Sequence, residues 1–159
     1  MHKIRSVTDY MVKKPITFRP DQSIHDAIRI LLRNKISGGV VTNEAGEIMG
    51  VISEKDCLNV MVDSIYHNLP SGKVQDYMSK NVDTVSDRSA IVEIANKFLN
   101  SNFKRFPVVN DNGRLVGQIS RADVLRAVKD MQSTTWQEGN ESSNHSVVKE
   151  NYKDTRVKS

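Results

Sequence analysis

The sequence predicts an α+β fold made of two copies of one strand, helix, strand, strand, helix unit, and three observations predict it. First, sliding the chain along itself by 67 residues lays Val7-Thr8-Asp9-Tyr10-Met11 on Val74-Gln75-Asp76-Tyr77-Met78 and Gly50-Val51-Ile52-Ser53-Glu54-Lys55-Asp56 on Gly117-Gln118-Ile119-Ser120-Arg121-Ala122-Asp123, with no gap between. Residues 7 to 60 and 74 to 127 share 16 identities over 54 positions, which marks an internal repeat. Second, stripes of apolar residues at helical spacing alternate with short strand-like apolar runs, in the same order in both copies. Third, polar clusters rich in Asn and Gly separate those runs.

Each unit opens on a short strand, around Ile16 to Phe18 and Val82 to Val85. A helix follows, because Ile24, Ala27, Ile28, Leu31 and Leu32 fall on one helical face behind Ser23, with Asp26 three residues later in a capping-box arrangement. The second copy repeats the stripe with Ile91, Ile94, Ala95, Phe98 and Leu99. Two strands then flank a turn: Gly39 to Thr42 and Ile48 to Ile52 in the first copy, Pro107 to Val109 and Leu115 to Ile119 in the second. The Asn112-Gly113 step is a hairpin signal, since both residues accept positive φ cheaply. The closing helix starts at Glu54 or Arg121, with Leu58, Met61 and Val62, or Val124, Leu125 and Val128, expected on its buried face. One unit of about 55 residues is marginal alone, so the two are expected to share a core. The expected organisation is a first repeat over 1–63, a linker over 64–73 that contains Pro70 and Gly72, a second repeat over 74–131, and a polar, flexible tail over 132–159.

Composition narrows the function. The 159 residues carry a formal charge of +4 and a single cysteine, which excludes an internal disulfide and zinc sites built on several cysteines, and sets the expectation of a reducing, cytoplasmic location. No secretory signal is visible, and no apolar stretch is long enough to cross a bilayer. The basic excess is modest and spread out, without a Lys/Arg block interleaved with aromatics, so neither nucleic acid nor a membrane is the expected partner. His2, His25, His67 and His145 form no i, i+4 pair, no glycine loop ends in Lys-Ser or Lys-Thr, and no pair of catalytic carboxylates can be placed. Cys57 reads as a structural thiol. No enzymatic activity is expected.

The repeated Gly-x-Ile-Ser-x-x-Asp is the most informative local feature. Its spacing alone makes Ser53 and Ser120 helix N-caps and Asp56 and Asp123 the third residues of capping boxes. The same geometry also suits a ligand: a helix start favours an anion, and an aspartate one turn on offers two acceptor oxygens to a ribose diol. Both readings stand on spacing.

The tandem units, each ending in this motif, together with Phe106-Pro107-Val108-Val109-Asn110 in the second, resemble a pair of CBS domains, the regulatory module named after cystathionine β-synthase. The resemblance covers about residues 7 to 130. It implies a pseudo-twofold pair of three-stranded sheets flanked by helices, commonly a homodimer through those helices, with clefts between the repeats that bind AMP, ADP, ATP or S-adenosylmethionine. Carried over residue by residue, one cleft combines Ser53 and Asp56 with Thr84, Val85, Lys104, Arg105, Phe106 and Pro107. Asp56 would hold the ribose, Ser53 the phosphate, Lys104 and Arg105 its charge, and the apolar residues the adenine. The other combines Ser120 and Asp123 with Ile16, Thr17, Ser37, Gly38, Gly39 and Val40, and has Arg121 as its nearest cation. Gly39-Val40 stands there in place of Phe106-Pro107 and nothing matches Lys104 or Arg105, which argues against phosphate binding in that cleft; the glycines either make room for a base or allow tight strand packing. The expectation is a regulatory module that requires no cofactor, takes an adenine nucleotide or S-adenosylmethionine as its ligand and reports occupancy to an effector protein. The alternative is a dimerisation or interaction scaffold with vestigial clefts.

Overall fold

Two asparagines set the hairpins on which both units are built. In the computed structural model, which describes residues 5–67 and 72–132, the Asn43 side-chain oxygen accepts the Glu47 N–H at 3.0 Å, and that of Asn110 accepts the N–H groups of Asn112 and Arg114 at 3.0 Å each. Gly46 and Gly113 complete the turns at φ +81° and +75°, a region open to glycine at little cost. These turns pair β2 (Gly38–Thr42) antiparallel with β3 (Ile48–Ser53), and β5 (Arg105–Val109) with β6 (Leu115–Ser120). The short β1 (Thr17–Phe18) and β4 (Val85–Ser86) add in parallel to β2 and β5, giving two three-stranded sheets in the orders β1-β2-β3 and β4-β5-β6.

The helices are α1 (Ile24–Asn34), α2 (Glu54–His67), a single turn α3 (Val74–Tyr77), α4 (Ile91–Leu99) and α5 (Arg121–Met131). At the start of α1 the expected capping box is half made: Ser23 accepts the His25 N–H, while Asp26 pairs with Arg29 at 2.5 Å. Helix α2 continues through Ser64–His67, the first four residues of the expected linker. The expected tail, apart from Gln132, lies outside the described residues.

A shared core was expected; the side chains form two. One gathers Phe18, Ile24, Leu31, Val41 and Ile52, the other Ile91, Ile94, Phe106, Val108 and Ile119. Each core takes a residue from the opposite repeat. Val74, with no exposed surface, completes the first core, and Val7, in a 3-10 turn (Val7–Asp9), completes the second. Asp9 and Asp76 fix these turns by accepting the N–H groups of Ser6 at 3.0 Å and Lys73 at 2.9 Å. The repeated Val-x-Asp-Tyr-Met is thus an exchanged plug.

The exchange also explains the glycine of Gly-x-Ile-Ser. After the plug, Val12 and Gln118 trade backbone hydrogen bonds of 2.9 and 3.0 Å, as do Ser79 and Val51 at 2.9 Å each. A Cβ on Gly117 would stand 2.5 Å from Met11 Sδ and 2.8 Å from the Val12 oxygen; one on Gly50 would stand 2.6 Å from the Ser79 oxygen. Only glycine lets the opposite repeat lie this close to β3 and β6.

In the second helix of each unit the expected burial holds in part: Val124 is buried and Val128 packs against the core as expected. Cys57 and Val60 face the core from α2 and Val124 and Ala127 from α5, whereas Leu58, Met61, Val62 and Leu125 are exposed. Leu32 and Leu99, expected in the α1 and α4 stripes, are exposed as well.

Candidate functional site

The two Ser-x-x-Asp motifs fold into capping boxes that are alike in the backbone and different in the hydroxyl. Ser53 N–H donates to Asp56 Oδ2 at 2.9 Å and Asp56 N–H to Ser53 Oγ at 3.1 Å; Ser120 N–H donates to Asp123 Oδ2 at 2.8 Å and Asp123 N–H to Ser120 Oγ at 3.2 Å. In the first repeat the Ser53 hydroxyl also donates to Asp56 Oδ2 at 2.8 Å, closing the pair on itself. The Ser120 hydroxyl has no such acceptor among the described residues. Asp123 is buried and its Oδ1 is held by Arg126. Each carboxylate oxygen has two lone pairs, so acceptor capacity remains on both.

The strand ladder decides which cation meets which serine. Counting outward from the second hairpin turn, Arg105 stands directly opposite Ser120; in the first repeat the same register places Gly38 opposite Ser53. A cavity of about 350 Å³ opens at the Ser120 end. Its apolar wall is Val12, Pro15, Ile16 and Ile36 from the first repeat, and its polar side is Lys14 with Arg105, Gln118, Ser120 and Asp123. Val12 is 55% and Ile16 38% exposed, so this wall is open to an incoming group. A larger cavity of about 460 Å³ lies between the two central strands. Ser37, Gly38, Gly39 and Val40 line it from β2 and its approach, with Ser53, and Phe103, Lys104, Arg105 and Pro107 line it from the other repeat. Arg105 and Gln118 line both cavities, which are therefore neighbours.

The expected site residues are accordingly regrouped. Ile16 joins Ser120 and Asp123, and Lys104, Arg105 and Pro107 join Ser53; but Ser37, Gly38, Gly39 and Val40 sit with Ser53, and Arg105 also serves Ser120. Asp56 and Thr17 line neither cavity. Thr84 and Val85 line a separate pocket of about 160 Å³ beside Lys97, whose ammonium pairs with Asp83 at 2.5 Å and donates to the Thr84 oxygen at 2.7 Å. The Phe106 ring is fully buried, 4.5 Å from the ring of Phe98, with Lys97 above it at 5.1 Å. Arg121 turns to the Phe103 oxygen at 3.1 Å. The two glycines are spoken for by packing: a Cβ on Gly39 would lie 2.5 Å from the Phe18 ring and one on Gly38 2.8 Å from the Ile52 oxygen.

Lys14 and Ile36 escaped the sequence reading, which found no phosphate-binding cation for the Ser120 cleft other than Arg121. The hairpin was the usable signal, since its turn fixes the pairing of Arg105 with Ser120. Among the described residues no group of three His, Cys, Asp or Glu could hold a metal ion, and no helix is long and apolar enough to cross a membrane.

Comparison with known proteins agrees with this architecture. The family model for the CBS domain matches twice, over residues 7–63 and 74–130. An uncharacterized protein of Methanocaldococcus jannaschii is 31% identical, with 79% of this chain and 92% of that protein covered. Among solved structures, the Arabidopsis thaliana CBS-pair protein CBSX2 in complex with AMP is 27% identical, with a TM-score of 0.68 over 80% of this chain and 98% of that one. A CBS domain pair in complex with 5′-methylthioadenosine and S-adenosyl-L-methionine is also 27% identical, with a TM-score of 0.62 over 78% of this chain and 99% of that one.

Proposed function

Because the chain belongs to the CBS-domain family, we propose that it is a regulatory module that binds an adenine nucleotide or a related adenosyl ligand such as S-adenosylmethionine in the cavity ending at Ser120 and Asp123. One observation carries this reading: that cavity brings an open apolar wall, a buried carboxylate, a hydroxyl with a free proton and two cations to one place. The wall of Val12, Pro15, Ile16 and Ile36 suits the faces of a purine. Asp123 accepts the ribose hydroxyls through its remaining lone pairs, and Ser120, Lys14 and Arg105 receive the phosphate. For S-adenosylmethionine the same cations meet the carboxylate.

The signal is a linkage. Lys14, Ile16 and Ile36 belong to the first repeat and Arg105, Ser120 and Asp123 to the second. A ligand that touches both favours one relative setting of the two, and an effector protein that distinguishes the settings senses occupancy. The apolar residues left exposed on α2 and α5, among them Leu58, Ile65 and Leu125, support a homodimer through these helices. The scaffold reading is favoured by one observation alone, the self-closed Ser53–Asp56 pair.

Titration calorimetry of protein stripped of carried-over nucleotide, with AMP, ADP, ATP and S-adenosylmethionine, tests the proposal. Saturable binding of at least one at submillimolar concentration is the expected result. Failure of every adenine compound to bind at millimolar concentration leaves the scaffold.

A further inference from the structure

The two exchanged plugs enter their cores alike and are fastened differently. Val7 and Val74 are both fully buried, so the apolar part of the hold is the same. The second plug is also tied by its backbone to the segment between β1 and α1. Ile24 N–H donates to the Gly72 oxygen at 3.0 Å, Val74 N–H to the Gln22 oxygen at 2.9 Å and Gln75 N–H to the Pro20 oxygen at 2.9 Å. The matching pairs 67 residues away, Ile91 with Arg5, Val7 with Ser89 and Thr8 with Asp87, make no such bond among the described residues. The first plug has a side-chain latch instead. Tyr10 OH and Arg5 Nη1 both donate to Asp130 Oδ2 at 2.8 Å, and Arg5 Nη1 also donates to the Tyr10 oxygen at 2.7 Å. The matching places of the second plug hold Gly72, Tyr77 and Asp63, which form no such cluster among the described residues.

The two fastenings differ in strength. Arg5 and Asp130 are 43% and 42% exposed, so water and salt screen their attraction. Asp130 also sits in the last turn of α5, where the helix dipole disfavours an anion. Beyond the latch, the first plug meets the second repeat's backbone through Val12 and Gln118, whose two bonds are matched in the second plug by those of Ser79 and Val51. The three backbone bonds to residues 20–24 therefore have only the latch as their counterpart. The segment that follows the first plug carries Lys14, Pro15 and Ile16, which wall the Ser120 cavity. We infer that residues 5–16 form a strap that lifts from the second repeat as a unit while the second plug stays seated, and that a ligand in the Ser120 cavity holds the strap shut. The ligand's part rests on the adenosyl reading of that cavity; the unequal fastening stands without it. A ligand that touches both the strap and Ser120 or Asp123 loses half of its site when the strap lifts, so occupancy and strap position are linked.

Native-state hydrogen exchange of the nucleotide-stripped full chain, read by mass spectrometry on peptides covering 5–16 and 72–79, tests the strap. The amides of Tyr10, Met11 and Val12, bonded to the Val7 and Gln118 oxygens, are expected to exchange about tenfold faster or more than those of Val74, Gln75 and Ser79. Tyr10→Phe removes the hydroxyl and keeps the ring against the second core; Asp130→Ala removes the acceptor and suits a helix. Each is expected to speed exchange in the strap about threefold or more and to leave 72–79 unchanged. Asp63→Ala, at the matching place on α2, is expected to change neither plug. The tightest binder among AMP, ADP, ATP and S-adenosylmethionine, at ten times its Kd, is expected to slow the strap by up to about tenfold. Equal exchange in the two plugs, or latch variants that speed both alike, shows that the protein opens as one body and overturns the strap. A compound that binds by calorimetry without slowing residues 5–16 overturns the ligand's hold on it. If none of the four binds, the proposed function falls together with the ligand's part, and the comparison of the two plugs decides the strap by itself.

Discussion

Replacing Gly117 by alanine tests whether the repeated glycine exists to admit the opposite repeat. The new Cβ would lie 2.5 Å from Met11 Sδ and 2.8 Å from the Val12 carbonyl oxygen. The methionine can swing aside. The carbonyl cannot, because it accepts the Gln118 N–H at 3.0 Å while Val12 N–H donates to Gln118 at 2.9 Å. Displacing it forfeits both hydrogen bonds, at about 1 kcal/mol each, so the expected loss is about 2 kcal/mol. It approaches about 4 kcal/mol if the segment lifts far enough to draw Val7, fully buried in the second core, into water. Urea denaturation reads this as a midpoint lowered by about 1 M or more for a protein of this size. Two variants separate crowding from backbone strain. Gly113→Ala meets nothing within 4 Å and pays only for its φ of +75°, about 1 to 2 kcal/mol. Met11→Ala combined with Gly117→Ala removes the sulfur contact but not the carbonyl contact, and recovers only part of the loss. Since Val12 is displaced and Lys14, Pro15 and Ile16 follow it in the wall of the Ser120 cavity, affinity for an adenine nucleotide is expected to fall together with stability. A Gly117→Ala protein within about 0.5 kcal/mol of wild type shows that the glycine is not needed to admit the opposite repeat.

Three further outcomes follow from the same structure. Val74→Ala removes two buried methyl groups from the first core, although Val74 belongs to the second repeat in sequence; the expected cost is about 2 kcal/mol, with amide exchange accelerating in α1 and β2 before α4 and β5, and equal acceleration throughout counts against an exchanged plug. Cys57 is 6% exposed, and burial pushes its thiol up, helped by the carboxylates of Asp56 and Glu54. The folded thiol keeps its proton where an unfolded one is losing it, so its stabilising contribution is complete below the ordinary thiol pKa and fades as pH climbs through the raised folded value. Native protein at pH 8 should therefore react with a thiol reagent far more slowly than denatured protein, and equal rates contradict this. Leu125→Glu, at a side chain 70% exposed on α5, should convert a dimer to a monomer in sedimentation velocity with helix content unchanged; a dimer that survives it and Leu58→Glu places the interface elsewhere.

The repeat made the elements legible and left their assembly partly hidden. Strands and helices follow from periodicity, and the hairpins from Asn43, Gly46, Asn110 and Gly113, because these signals are local. The exchange of Val7 and Val74 is not local: nothing in Val-x-Asp-Tyr-Met says which copy of the core it enters. The same limit applies to burial on α2 and α5, where Leu58 and Leu125 continue an apolar pattern but face outward. At the site, the Ser-x-x-Asp boxes were readable to the residue, since capping is set by spacing. Lys104 and Arg105 line the Ser53 cavity as expected, but the Ser120 cavity also has Arg105 and Lys14, which the sequence did not place there. Arg105 is brought to Ser120 by the β5–β6 register, and Lys14 arrives on a segment held to β6 by Val12 and Gln118, a contact between positions far apart in sequence.

Under the proposed function, the Ser120 and Asp123 cavity holds the adenosyl ligand. Calorimetric titration of AMP into wild type, Asp123→Asn and Asp56→Asn is the test, because Asn keeps a side-chain oxygen to accept the N–H of the N-cap serine while removing the charged acceptor for the ribose; thermal denaturation checks that loss of the charged partner of Arg126 in Asp123→Asn leaves the protein folded. Losing hydrogen bonds to a charged group costs about 1.5 to 3 kcal/mol, so AMP affinity is predicted to fall about ten- to hundredfold in Asp123→Asn and to stay within about twofold of wild type in Asp56→Asn. Unchanged affinity in Asp123→Asn, or a loss confined to Asp56→Asn, places the ligand elsewhere than at Ser120 and Asp123.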